Sequence, residues 1–325
     1  MTGRERVLAL LSGNEPDHLP FMPITMMRAA RHIGVKYREY VTDHRVMAEA
    51  QIRIAETFDI DHVSVISDPA REVSDLGGAV EWFEDQPPAV IEERALLTEK
   101  IRLVGLRMPA ISSAPRMFDR VEGVRLLRER AGRDRIVEGW VEGPCAMSAD
   151  LRGLNRLMLD FFDDPAFVRE LFQFSVEMEF ENARAQIQAG ADLIGVGDAA
   201  ASLIGPKLYR EFVFPEERNL VRRIQECGAR VRLHICGKTR KLYRAMADLG
   251  ADIVDLDFFA PLDEARAEMG PEQVLLGNLD PVRVMRDGTP ETIQAAFAEC
   301  HRQAGARYIV GAGCEIPAGT SDANL

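Results

Sequence analysis

His234 and Cys236 stand two residues apart, and Cys314 lies further along the chain. One imidazole and two thiolates form a donor set suited to zinc. Val231-Arg232-Leu233-His234-Ile235-Cys236 reads as a strand, and strand side chains alternate between faces. Arg232, His234 and Cys236 therefore share one side, and Gly237 follows. Cys314 falls just past another β-branched run, in Gly311-Ala312-Gly313-Cys314-Glu315-Ile316-Pro317. In a closed barrel both strands end on one rim, where barrel enzymes keep their chemistry. Three protein ligands leave a fourth position open, the arrangement of a catalytic rather than a structural zinc. Cysteine is also a common core filler, so the spacing alone leaves packing as the alternative.

Carboxylates collect at the same strand ends: Asp68, Glu142, Asp198, Asp255, Asp257 and Asp280. Asp257, beside the His-x-Cys strand, is a candidate labile fourth ligand. Glu142 and Asp198 are candidate proton donors or acceptors. Asp280 precedes Pro281 and reads as a helix cap. Arg28 and Arg31 are candidates for holding an anionic substrate, with a solvated surface as the alternative. Cys145, Cys227 and Cys300 fit packing, and His301 fits a helix surface. Phe161–Phe162 and Phe258–Phe259 also read as packing.

The elements that must position these residues alternate. Strands are expected at Leu19–Ile24, His62–Ser67, Ile136–Glu142, Asp192–Gly197, Arg230–Cys236, Asp252–Asp257, Val274–Asn278 and Arg307–Ala312. Pro20 and Pro23 weaken the first. Helical spacing is expected over His44–Phe58, Val121–Ala131, Pro165–Ala189, Pro206–Glu226, Thr239–Leu249, Leu262–Met269 and Thr289–Ala304. Alternating strands and helices imply parallel βαβ units, and eight of them suggest one α/β domain over residues 1–325, a TIM (β/α)8 barrel. An open doubly wound sheet is the alternative, but no Gly-x-Gly-x-x-Gly turn follows an early strand. A long insertion, Asp68–Ile111, follows the second strand, and loops of that kind commonly line active sites. No eighth helix is evident after the last strand, and Arg4–Leu11 is a candidate to cover that flank.

The chain has 325 residues, 46% hydrophobic and 28% charged, with a formal net charge of -12. Acidic balance argues against nucleic acid, which requires clustered positive charge. No apolar stretch is long enough to cross a bilayer, and Val7–Leu11 is too short for a signal segment. A cytoplasmic protein is expected. Five sparse cysteines do not make a disulfide framework.

At these positions the chain resembles the uroporphyrinogen decarboxylase superfamily. The resemblance is carried by Glu5-Arg6-Val7-Leu8-Ala9-Leu10, Glu15-Pro16-Asp17, Glu142-Gly143-Pro144 and His234-Ile235-Cys236-Gly237. It continues through Gly250-Ala251-Asp252, Gly277-Asn278-Leu279-Asp280-Pro281, Gly313-Cys314-Glu315-Ile316-Pro317 and Asn324-Leu325. It implies a (β/α)8 barrel and one of two chemistries. One branch holds metal-free decarboxylases. Met27-Arg28-Ala29-Ala30-Arg31 is a compressed form of their Arg-rich opening, and their substrate-binding Asp lines up with Asp68. Their Tyr, Ser and C-terminal His fall near Asp150, near Ala199 and at Cys314, so that match fails. The other branch holds zinc-dependent methyltransferases that work with cobalamin on a partner corrinoid protein. Their ligands match His234, Cys236 and Cys314 in order. Some carry a Glu past the sixth strand as a further ligand, where Asp257 stands here. The resemblance thus implies methyl transfer between a corrinoid protein and a small thiol, folate or methoxy substrate. Direction and acceptor stay open.

Overall fold

The β-branched runs become parallel strands. In the computed structural model, which describes residues 1–325, nine strands run in chain order: β1 (His62–Ser64), β2 (Val80–Glu81), β3 (Ala89–Val90), β4 (Ile136–Glu142), β5 (Leu193–Gly197), β6 (Arg230–Ile235), β7 (Ile253–Leu256), β8 (Val274–Leu276) and β9 (Tyr308–Ile309). Seven form one curled parallel sheet in the order β1-β4-β5-β6-β7-β8-β9, while β2 and β3 pair antiparallel. Ile136–Glu142 forms as expected, and the other strands are shorter than expected by up to three residues at an end, because only the hydrogen-bonded middle of each run meets the ladder criterion.

The expected first strand, Leu19–Ile24, is reduced to a single parallel bridge between Phe21 and Val310. Pro20 and Pro23 have no N–H to give a ladder. The segment still ties the outer strands together. Met22 N–H donates to Val310 O (2.9 Å), Val310 N–H to Pro20 O (2.8 Å), and Asp61 N–H to Phe21 O (3.0 Å).

Helices His44–Phe58, Pro165–Ala189 and Leu262–Met269 form where periodicity places them. The stretch Pro206–Glu226 does not stay one helix. It passes through a π-helical turn at Tyr209–Val213 before Phe214–Glu226, with Pro215 near the joint. Two helices that periodicity did not show, Pro144–Arg152 and Leu154–Asp163, meet at Gly153, which has φ +89°. The insertion holds a short helix (Arg71–Asp75), the β2–β3 hairpin and a further helical turn at Arg102–Gly105.

After β9 only a 3-10 turn, Asp322–Asn324, follows. Helix Gly3–Leu11 does not replace a missing flank helix. It seals the opposite end of the sheet from the His–Cys–Cys group. Its Val7 and Leu10 pack against Ile136, Leu193, Ile253 and Val274, which open their strands, and against Ile309 of β9. Buried Arg6 fixes it by pairing with Asp61.

The side chains inside the curl are stacked in layers. The apolar layer at the strand starts comes first. Above it a charged layer joins Glu138, Arg232 and Asp255, with Arg232 Nη1–Glu138 Oε1 at 3.2 Å and Arg232 Nη2–Asp255 Oδ2 at 2.7 Å. All three are at most 1% exposed, and such charges persist in a core only when paired. Trp140 lies above them. Added Cβ atoms at Gly195 and Gly197 would stand 2.1 Å and 3.0 Å from its indole, so glycine at both β5 positions leaves room for that ring. No helix is long and apolar enough to cross a membrane.

Candidate metal centre and its cavity

Strand alternation carries β6 upward from Arg232 through His234 to Cys236, and the turn after β9 brings Cys314 to meet them. His234 Nε2 lies 3.0 Å from Cys236 Sγ, and the two sulfurs are 3.9 Å apart. All three ligand atoms fall within 4.8 Å of one another, and all five cysteines are free thiols. Tetrahedral zinc with bonds of about 2.0–2.3 Å sets ligand atoms roughly 3.3–3.8 Å apart, so this donor set fits such an ion. His234 Nδ1 faces Asp255 Oδ2 at 2.9 Å, leaving Nε2 for the cluster. A carboxylate behind a ligand histidine is a recurring second-layer support in zinc sites.

The electrostatics prepare the same atoms. Burial opposes charge on His234, but Cys236 and Asp255 outweigh it and hold its pKa well above the ordinary value. The hydrogen bond from Cys236 draws Cys314 well below the usual thiol range in spite of burial. The same hydrogen bond, with burial, pushes Cys236 up. Cys314 is thus the sulfur favoured as thiolate, the form that binds metal.

The remaining expected residues divide. Asp257 is not part of the three-residue group. Its Oδ2 accepts from Gly237 N–H (2.8 Å) and its Oδ1 from Phe259 N–H (3.1 Å). Glu142 and Asp68 line a cavity of about 190 Å³ that reaches His234, Cys236 and Cys314. Asp68 also pairs with Arg116 at 2.7 Å. Burial pushes Glu142 up to about 8, against the pull of Arg71. Asp198 is turned away from this cavity. Its oxygens accept from Ala146 N–H (2.6 Å) and Cys145 N–H (3.2 Å), capping helix Pro144–Arg152. A Cβ on Gly143 would sit 2.4 Å from that of Asp198, so this close approach depends on the glycine. Asp198 thus follows β5 but serves the helix that follows the neighbouring β4, where its charge meets the positive N-terminal end.

The two arginines do not reach the cavity. Buried Arg28 pairs with Asp322 and donates to Thr320 O, holding the last turn. Arg31 lines a separate surface cleft with Lys36 and Asp85. Three cavity residues escaped the sequence reading: Arg71, Trp140 and Glu315. Glu315 accepts from Met27 N–H (2.6 Å), and burial lifts it to about 8. Its place next to Cys314 was the one available signal. Arg71 stands early in the insertion and has no motif.

A parallel α/β sheet carrying a metal-ligand set at its C-terminal strand ends defines the class. The chain belongs to the uroporphyrinogen decarboxylase (URO-D) family, whose pattern matches residues 2–325. Among its relatives, the methylcobamide:CoM methyltransferase MtbA of Methanosarcina mazei is 26% identical over 100% of this chain and 95% of its own length. A uroporphyrinogen decarboxylase of Nocardia farcinica is 26% identical over 95% of this chain and 88% of its own. Among solved structures, a methyltransferase from Methanosarcina mazei superposes with a TM-score of 0.91 at 22% identity, covering 100% of this chain and 96% of that one. A B12-independent methionine synthase from Shewanella sp. W3-18-1 aligns with a TM-score of 0.59 at 14% identity over 86% and 82% of the two chains. These likenesses establish the fold.

Proposed function

We propose that this protein is a zinc-dependent methyltransferase that moves a methyl group between a partner corrinoid protein and a small thiol or methylated heteroatom substrate. The convergence of His234, Cys236 and Cys314 at the C-terminal strand ends of the curled sheet, whose outer strands the Pro20–Met22 segment ties together, carries the reading. Relatives named as methylcobamide:CoM methyltransferases over nearly the full length support it. The free thiols suit a reducing compartment such as the cytoplasm.

His234, Cys236 and Cys314 would hold the ion. When bound, zinc supplies a Lewis acid that favours a substrate thiolate, or polarises a leaving heteroatom, at neutral pH. Asp255 fixes the ring of His234 and leaves Nε2 available. Asp257 is committed to backbone amides, so substrate or water is the better fourth ligand. Glu142, with a carboxyl poised near neutrality and facing the cavity, takes or returns the substrate proton. Ile24, Ile66 and Trp140 keep water from the reacting atoms.

Metal-free decarboxylation of a tetrapyrrole acid, the activity named in other relatives, requires free cations around the substrate. Arg28 and Arg31 do not line this cavity.

Two measurements test the proposal. Purified protein is expected to carry one zinc per chain under reducing conditions, and Cys314→Ser to lose most of it. The visible spectrum of methylcobalamin is expected to change when a thiol acceptor and the wild type are both present. Wild type without stoichiometric zinc, or a methylcobalamin spectrum unchanged across a thiol, folate and phenol panel, rejects it.

A further inference from the structure

The cavity beside the metal-ligand group opens into an outer chamber of about 360 Å³, and the two share Pro69, Glu142 and Ala199. Helix Pro144–Arg152 forms one wall. Ala146, Ala149 and Asp150 follow the i, i+3, i+4 spacing that brings residues onto one helix face. The rest is largely apolar, with Val90, Leu154 and Leu203 prominent.

The ionisable groups of this chamber are all acidic: Glu92, Glu142 and Asp150, with no Lys, Arg or His. Glu92 is occupied by Asn155, whose backbone N–H and Nδ2 donate to it at 3.1 Å and 3.2 Å. Glu142 is 8% exposed, and only its Oε1 meets a protein donor, Arg71 Nη2 at 3.4 Å. Asp150 is the one residue of helix Pro144–Arg152 that is only partly buried, and its carboxyl lines the chamber. Arg71, at the junction, is 1% exposed, and each of its nitrogens is engaged: Nε with Glu72 (3.3 Å), Nη1 with Asp68 O (2.6 Å), Nη2 with Glu142. An anionic tail entering here would meet carboxyl oxygens and no available cation. A cationic one would meet the Asp150 carboxyl and the second oxygen of Glu142, which Arg71 leaves free, across apolar walls.

We propose that the outer chamber selects small substrates bearing an ammonium head, anchored by Asp150 with Glu142, and rejects sulfonate and carboxylate tails. This rests on the methyl-transfer reading and names its substrate class. Burial lifts both carboxyls to about 8, and an ammonium supplies the opposite charge that lets them ionise. Placed this way, the ammonium lies in the outer chamber and the sulfur reaches the His234, Cys236 and Cys314 side.

The test uses full-length, metal-loaded protein in two arms. In the first, methyl transfer from methylcobalamin is followed with 2-aminoethanethiol, 2-mercaptoethanol and 2-mercaptoethanesulfonate. The amine is expected to show kcat/KM at least about tenfold above the sulfonate, as one charge-assisted contact implies. Asp150→Asn is expected to remove that preference, lowering kcat/KM for the amine about tenfold more than for 2-mercaptoethanol, and Asp150→Glu to restore it. In the second arm, calorimetry measures binding of 2-(methylthio)ethylamine, which requires no turnover. Binding that weakens about tenfold in Asp150→Asn supports the chamber assignment even if no thiol is methylated, and then only the methyl-transfer reading falls. A sulfonate turned over as well as the amine, an order unchanged by Asp150→Asn, or no binding of the thioether amine overturns the proposal.

Discussion

Asp255 touches no cavity and still governs the centre. Burial alone would raise its carboxyl, but Arg232 and then His234 outweigh burial and keep it ionised. It therefore faces His234 Nδ1 as a fixed negative charge, aiming Nε2 at the two sulfurs. Replacing it by asparagine keeps the shape and removes the charge. Asp255→Asn is expected to weaken zinc binding about 10- to 100-fold, the usual effect of losing such a support. A chelator-competition titration would show this, with exposed Cys227→Ser as a control that leaves affinity unchanged. Unchanged affinity in Asp255→Asn would mean that the carboxylate serves only the Arg232 and Glu138 charge layer. Sequence could show the ligands, because period-two alternation and a strand end are local. It placed Asp255 only as one of several rim acids, because its pairing depends on the stagger between β6 and β7.

The elements divide the molecule into a chemical end and a stabilising end. Val7 and Leu10 of helix Gly3–Leu11 close the strand starts, while the His–Cys–Cys group sits at the strand ends. Leu10 is 2% exposed, so Leu10→Ala opens a cavity in a packed layer. It is expected to cost about 2–5 kcal/mol in denaturant unfolding. Zinc stoichiometry of the folded variant should match the wild type. A loss of zinc would show that the two ends are coupled. The seven sheet strands were legible because each is a short β-branched run between turn residues. The Pro20–Met22 segment was less so, because its place is held by three backbone hydrogen bonds rather than by a ladder. Helix Pro144–Arg152 was hidden for a different reason. It is buried nearly throughout and so shows no apolar stripe. With it went Asp150, and with the capping of that helix went the true place of Asp198.

At the scale of the whole molecule, buried carboxyls should make stability depend on pH. Burial lifts Glu142 and Asp150 to about 8, while in the unfolded chain such groups titrate near 4. Between those values the unfolded chain has released protons that the native protein still holds. Stability therefore falls as pH rises through this window and levels off above about 8. His62 acts in the opposite sense lower down. Burial depresses its pKa to about 3, so its contribution is lost as pH falls below its ordinary value and is constant above it. The range from pH 7 upward is thus free of His62. The net charge of -12 adds repulsion of the same sign as the carboxyls. Metal-free wild type is expected to lose melting temperature between pH 7 and pH 8.5. The Glu142→Gln/Asp150→Asn double variant should lose distinctly less, with about 2–4 °C separating the curves for each kcal/mol relieved. Calorimetric melting of both proteins at matched ionic strength decides it. Parallel curves would show that these two carboxyls titrate as ordinary solvated acids, and the outer chamber would then be wetter than its apolar walls imply.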